Sequence, residues 1–576
     1  LEKINHKSAP KEVVNALVSL YHQGKFDDVL SRSSVLIKEY PQTFILHNII
    51  GAISFEKGHK EDAIKHFRKV IELRPHHPHA YNNLGAAFID IGEYEEAKSN
   101  LKKAIELQPD YAEAYNNLGN VYKEMEEYNQ AISIYEKAIE LNPEYYEAYN
   151  NLGVVLGKNE QYEEAEKVLK QVIKSQPDLI IDSKNFISYF YLGSLYHDRN
   201  DFKNAIIHYR KSVKLNPNYF NSWFNLGITS NNFKKPYDAI HAYEKALEIN
   251  PNHVETLNNL GTINHDILEY EESIKYYKQA IKSNPHLNIL YSNLALAYKD
   301  KGDIRNSIKY YKLAIKKNPN DVVPLNQIGQ LFRELNNLKN ASIYFINAIE
   351  LKPNSIPSNF NLACTLIDMG IYDHAKNYLN KIIKIDKEYV KAHLKLGEMN
   401  FYLGFYDKGL CNFLNAVDIG KELELSFSLL NFYINYSPDM SAKEIFDYYK
   451  KYDHRFGLPL KNKWKSFSQP KTPKKRLKIG YVSPDFKQHS MQNFLMPTLS
   501  HHNHQKFEIF AFAEIKEEDK VSLEYKSHID HWIRTEKMND DELVQKIRSL
   551  GIDILVDLAG HTRNNRLTVF AQKPAP

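Results

Sequence analysis

Asn83-Leu84-Gly85 returns as Asn117-Leu118-Gly119 and as Asn151-Leu152-Gly153, at a spacing of 34 residues, and that spacing decides the fold. Beyond a six-residue insertion near position 180 the ladder continues at Gly193, Gly227, Gly261, Ala295, Gly329, Ala363 and Gly397, with an earlier rung at Gly51. A second small residue follows each rung by twelve positions, at Ala63, Ala97, Ala131, Ala165, Ala205, Ala239, Ser273, Ser307, Ala341, Ala375 and Gly409. Two small residues per unit imply two closely packed helices. Prolines at 75, 109, 143, 177, 217, 251, 285, 319 and 353 end the second helix and open the next unit. This is the tetratricopeptide signature. It covers roughly residues 10–420, about eleven to twelve units within a repeat region taken as 1–420. One unit cannot bury its own apolar face, so neighbours stack into an α-solenoid, an architecture that binds other chains.

The position before the signature leucine is an amide in most units: Asn83, Asn117, Asn151, Asn225, Asn259, Asn293 and Asn361, with Gln327 in one more. Tyr191, Ile49 and Lys395 interrupt the row. An amide side chain both donates and accepts, so such a row can pair with the backbone of an extended protein acceptor whatever its sequence. The alternative is that these asparagines belong to the repeat consensus and face water.

The 576 residues, 43% apolar and 25% charged, describe globular material in more than one domain. A net charge of +4 lacks the basic excess of a dedicated nucleic-acid binder. Two cysteines, Cys364 and Cys411, form no disulfide framework and favour a reducing, cytoplasmic setting. No apolar run is long enough for a transmembrane helix. The chain opens on Leu1 and stops at Pro576 just after a strand and loop, which gives the expectation of a fragment at both ends.

After Gly409 the period fades. Residues 421–460 read as transition helices capping the array. Residues 461–476, with seven basic residues, no acid and Pro470 and Pro473, read as a solvated linker; a nuclear-import or phosphate-surface signal is the other reading. From 477 the pattern alternates. Strands are predicted at 477–483, 507–514, 531–535 and 552–559, with helices at 490–501 and 540–550, which implies a parallel sheet covered on its faces. Ligands of such sheets sit beyond the carboxyl ends of the strands. His489 follows the first strand and His561 the last, so the two imidazoles are expected to face one crevice and to handle a proton or hold a phosphate or hydroxyl. His501, His502 and His504 are read as solvated rather than as a metal site. No dinucleotide, Walker, serine-hydrolase or CxxC signature is present.

Residues 477–576 resemble the first catalytic lobe of the protein O-GlcNAc transferase and SPINDLY family. The resemblance is carried by Ile479-Gly480-Tyr481-Val482-Ser483-Pro484-Asp485-Phe486 with His489 and Ser490, by Asp553 through Thr562 with Asn565 and Arg566, and by Lys573-Pro574-Ala575-Pro576. It implies an incomplete Rossmann-like lobe of a two-lobed (GT-B) enzyme. Such an enzyme transfers a sugar from a nucleotide donor to protein Ser or Thr hydroxyls, with inversion and without metal or other cofactor. By the same resemblance His489 and Asp485 are the catalytic candidates, and His561, Thr562, Asn565 and Arg566 the substrate-binding ones. The default donor is UDP-GlcNAc. GDP-fucose is the alternative, because the Ser-Pro-Asp and Gly-His-Thr forms look like the SPINDLY branch; a non-catalytic repeat scaffold is the reading from another class. The second lobe, which in the family holds the nucleotide, is expected beyond Pro576.

Overall fold

The computed structural model describes residues 8–175, 185–420, 423–467, 476–562 and 564–576. Pro177, Arg563 and the linker residues 468–475, with Pro470 and Pro473, lie outside them. The chain divides into two compact units, residues 1–310 and 311–576.

Among the described residues twenty-four helices in twelve pairs make up the repeats, from Lys11–His22 with Phe26–Glu39 to Val390–Tyr402 with Tyr406–Ile419. What fits the two helices of a pair together is a contact that the small-residue pattern announced only by half. Each ladder glycine meets a large ring or branched chain sixteen residues later, on the second helix. A Cβ on Gly227 would lie 2.5 Å from the Tyr243 ring, one on Gly119 2.5 Å from Tyr135, and one on Gly329 2.7 Å from Phe345. Tyr135, Tyr209, Tyr243, Phe345 and Phe413 are in turn fully enclosed.

A buried tyrosine still needs a partner for its hydroxyl. The residue after the ladder glycine supplies it in three units: Asn120 Oδ1 accepts from Tyr135 at 2.7 Å, and Ser194 and Thr262 pair with Tyr209 and Tyr277 at 3.0 Å each. In the unit of Gly227 that residue is the apolar Ile228, and the Tyr243 hydroxyl accepts instead from Asn259 of the next unit at 3.3 Å. The first pair reverses the sizes, with Leu17 at the ladder position and Ser33 sixteen residues on, both buried.

Between the helices of each pair the chain turns through one residue of positive φ. Glycine fills it at Gly24, Gly58, Gly92, Gly302, Gly370 and Gly404, but Glu126, Glu160, Asn200, Lys234, Leu268 and Asn336 occupy it elsewhere. Leu268, at φ 69°, bears the steric cost of a left-handed backbone on a branched residue.

Behind the repeats come helices Glu424–Tyr433 and Ala442–Tyr452, a short irregular helical run to Lys463, and a parallel four-stranded sheet of order β3-β2-β1-β4. The strands are β1 (Leu477–Ser483), β2 (Phe507–Ala513), β3 (His531–Arg534) and β4 (Ile554–Asp557). Side chains alternate across the sheet. Ile479, Tyr481, Ile509 and Ala511 pack with helices Gln492–Ser500 and Lys520–Ser527; Val482, Phe510 and Phe512 pack on the other face with helix Asp540–Leu550. Gly480 is small because a Cβ there would lie 2.8 Å from Phe512 and 2.9 Å from Leu555.

Three sequence expectations are refined. Helix Lys520–Ser527 was not anticipated; its signal was the Asp519-x-x-Ser522 capping pair, realised as a reciprocal capping box. The last strand is shorter than residues 552–559. The described start of the basic linker is exposed from 461 to 466 and is tethered at two points, where Lys463 pairs with Asp541 at 2.7 Å and Trp464 Nε1 donates to Ala571 O at 2.7 Å. Among the described residues no helix is long and apolar enough to cross a membrane.

Two substitutions of opposite sign follow from the repeat geometry. Gly227→Ala forces a methyl into the Tyr243 ring and should cost about 1–3 kcal/mol, whereas Leu268→Gly relieves the turn and should gain about 1 kcal/mol. Urea melts of the two variants against the parent chain check both signs.

Candidate functional site

The sheet order places the site. From β1 the chain winds through β2 to β3, then returns to the opposite side of β1 to form β4, with Val482 in register with Asp557. Adjacent parallel strands whose connections leave in opposite directions open a crevice at their carboxyl ends. The loop after β1 carries Asp485 and His489, and the loop after β4 carries His561 and Thr562. Both therefore leave the same edge from neighbouring strands.

The first loop is pinned. Ser483 Oγ accepts from Asp485 N at 3.0 Å, Asp519 Oδ2 accepts from Gln488 N at 2.7 Å, and Ser522 Oγ donates to Phe486 O at 2.7 Å. The two backbone N–H groups from Gln488 and Ser522 hold the Asp519 carboxyl below the usual carboxylate range. Phe486 is fully buried, and His489 stands out of the loop with 44% of its side chain exposed. Its Nδ1 accepts from Met491 N at 3.3 Å and lies 3.8 Å from Asp485 Oδ2. Those two neighbours favour opposite tautomers. The Met491 N–H keeps the proton on Nε2, whereas Asp485 favours a proton on Nδ1 and so leaves the Nε2 lone pair free to accept one.

His561 occupies a different setting. Its ring lies edge-on to Tyr452 at 4.6 Å and 5.1 Å from the Tyr449 ring, with Nδ1 3.3 Å from Ser428 Oγ and Nε2 3.4 Å from Asn431 Nδ2. With Asn431 donating to Nε2, Nδ1 carries the proton and donates to Ser428. Ser428 and Tyr452 both donate to Glu424 Oε1, at 2.9 and 2.5 Å. Burial pulls the His561 pKa from 6.5 down to about 4, so the ring is neutral at pH 7. Nothing in the sequence marked Glu424, Ser428, Asn431 or Tyr452. They sit in the transition helices, which hold the second loop as well as follow the repeats. No hydrogen bond or ring contact among the described residues joins His489 to His561.

The remaining predicted residues divide. Asn565 Nδ2 donates to Thr562 O at 2.9 Å and to Ser428 Oγ at 3.3 Å. The Thr562 hydroxyl is buried beside this cluster with no partner among the described residues. Arg566, expected to bind substrate, is instead committed to the fold. It makes a two-pronged pair with Glu514, contacts Asp540 at 2.6 Å, and donates to the backbone oxygens of Thr535 and Met538. Only 14% of its side chain is exposed. Burial opposes the charge, but the hydrogen bonds to Asp540 and Glu514 outweigh it and raise the pKa further. This arginine ties the ends of β2 and β3 to the start of helix Asp540–Leu550. His501, His502 and His504 take three separate partners, Pro497 O, the Tyr481 hydroxyl and Asp530.

In the repeats, all seven row asparagines are half-buried. Asn117, Asn151 and Asn293 donate to Asn82, Asn116 and Asn258 of the preceding unit at 2.9, 3.0 and 2.9 Å. The row thus braces neighbouring units, a use that neither sequence reading foresaw. The Gln327 Oε1 is buried without a partner among the described residues.

Residues 458–576 match the family described as Glycosyl transferase family 41. Tetratricopeptide families match in front of it, among them over 76–144, 122–183 and 356–389. A barley (Hordeum vulgare) protein named "Probable UDP-N-acetylglucosamine--peptide N-acetylglucosaminyltransferase SPINDLY" is 31% identical over 147 residues, 25% of this chain and 16% of that protein. An Arabidopsis thaliana protein of the same description, named SEC, is 31% identical over 126 residues, 22% of this chain and 12% of that one. A solved Thermobaculum terrenum O-GlcNAc transferase mutant aligns with TM-score 0.40 and 23% identity over 44% of this chain and 49% of its own. The match to the barley relative spans about a sixth of that protein's length. The chain carries a family 41 region behind a tetratricopeptide array, the organisation that the resemblance to the O-GlcNAc transferase and SPINDLY family predicts.

The burial of His561 yields a pH dependence. A folded pKa below the unfolded value means that the stabilisation is complete above about 6.5 and is lost as pH falls toward 4. In a chain with labelled histidine, the His561 ring should titrate near pH 4 by NMR. A midpoint at the ordinary histidine value would show that the ring is not packed under the transition helices.

Proposed function

We propose that this chain, a repeat array running into a family 41 region, is the acceptor-binding part and first catalytic lobe of a protein O-glycosyltransferase. It moves N-acetylglucosamine from UDP-GlcNAc to Ser or Thr hydroxyls of proteins. The observation that supports it most is the switch point, where the loops bearing His489 and His561 leave adjacent strands β1 and β4 at the sheet edge on which such folds bind their ligands. The names of the relatives supply the sugar and the acceptor class. Inversion without a metal ion is what the family resemblance implies.

Inverting transfer needs a hydroxyl aligned behind the anomeric carbon, a route for its proton and support for the departing diphosphate. His489, exposed on a pinned loop, meets the acceptor hydroxyl. Taking the proton at Nε2 requires Nδ1 to turn from the Met491 N–H toward Asp485, which then stabilises the imidazolium. Asp485 is the positioning residue in this scheme. His561, with both ring nitrogens taken by Ser428 and Asn431, holds its loop in place as a neutral group, and the Thr562 hydroxyl, without a partner among the described residues, is left to hydrogen-bond the sugar or acceptor. The amide row receives the acceptor chain, and its inter-unit braces keep the row rigid before binding.

His489→Ala in the full-length protein should lower transfer about a hundredfold or more while leaving acceptor binding unchanged. Asp485→Asn should lower the turnover rate by a smaller factor. Transfer is followed with labelled UDP-GlcNAc and, in parallel, GDP-fucose. Full activity of the His489→Ala variant would remove the catalytic assignment, label arriving only from GDP-fucose would reassign the donor, and transfer from neither would leave a binding scaffold.

A further inference from the structure

The amide row is broken once by an aromatic residue, and a cavity lies there. Tyr191 takes the place of the row asparagine in the unit after the six-residue insertion, forty positions from Asn151 rather than the usual 34. Around it is a cavity of about 680 Å³ lined by the rings of Tyr145, Tyr146, Phe186 and Tyr191 and by the carboxylates of Glu144 and Glu147. Asn151 of the row forms part of the same wall, and no lysine or arginine is among the described lining residues.

The chemistry of the described wall is one-sided. Ring faces present negative charge, and an organic cation held over them is attracted more strongly when a carboxylate closes the cage. Both glutamates are exposed, whereas the four rings are half-buried. The field is felt by the phenols. Burial first, and then Glu147 and Glu113, push the Tyr145 hydroxyl well above its ordinary value, and burial, Tyr219 and Glu147 raise that of Tyr191. A neutral or acidic side chain would gain nothing from this lining. A planar guanidinium stacks on the rings and forks to a carboxylate, which suits it better than a compact ammonium does.

We propose that this cavity recognises an arginine side chain of the extended protein segment that the amide row receives, so that the row grips the backbone and the cage selects one residue. This rests on reading the row as an acceptor groove. It adds a sequence preference to a surface that otherwise grips any chain, at one fixed place along the array.

The test uses the 576-residue chain and two labelled synthetic peptides, an extended Ala/Ser/Thr sequence with one central arginine and the same peptide with citrulline, its neutral isostere. Fluorescence anisotropy should show about tenfold tighter binding of the arginine peptide. The Glu144→Gln/Glu147→Gln double variant, changed only at exposed positions, should bring the two peptides together. Equal binding of both peptides to the parent chain would overturn the cage while leaving the groove. Binding of neither would overturn the groove reading and the cage with it. A preference that survives the double variant would place arginine recognition elsewhere and so overturn the assignment.

Discussion

The repeat region depends on one steric fit made by its nine ladder glycines, a residue without a side chain on the first helix against a large one sixteen positions later on the second. The glycine brings the helices close enough for a tyrosine or phenylalanine to fill the space between them, and the ring then has no other place to go. Once the ring is tyrosine, its hydroxyl must be satisfied, and the next residue on the first helix, or a row asparagine of the following unit, does so. A packing requirement therefore dictates polar residues one position away. That coupling explains why Asn259 is turned to Tyr243 when Ile228 offers no partner.

The family 41 region obeys a different constraint, the alternation of side chains across a parallel sheet. Phe486, buried between the sheet and helix Lys520–Ser527, fixes where the loop after β1 turns, and Asp519 and Ser522 clamp its backbone. His489 is displayed because it lies in the exposed run from Lys487 to Ser490 that follows the buried Phe486. His561 is the reverse case: it is covered by Tyr449 and Tyr452, and its neutrality at pH 7 is a consequence of that cover. Two histidines that looked alike in sequence thus have opposite chemistry, one accessible to a reacting proton and one held as an uncharged hydrogen-bonding group.

Glu514, Arg566 and Asp540 supply a third lesson in reading charges. An arginine in a loop beside a predicted site looks like a substrate ligand. Three acceptor sets from three elements turn it into a tie across the carboxyl edge of the sheet, where removing one partner would leave a buried charge uncompensated. No local pattern separates these two fates, because Glu514 is 52 residues away and Asp540 26.

The sequence by itself determined the repeat, the parallel sheet and the two loops at its edge, because each is written in a local period: 34 for helix pairs, two for strands, and punctuation by glycine and proline. It also carried helix Lys520–Ser527, through the local signal of its Asp519/Ser522 cap. Only the tertiary structure decided that β4 lies beside β1, that transition helices far from the sheet in sequence enclose His561, that Arg566 is structural, and that Tyr191 opens an aromatic cage in the amide row. These outcomes rest on contacts between residues 26 to 137 positions apart, whose partners are selected by packing and desolvation and leave no period behind.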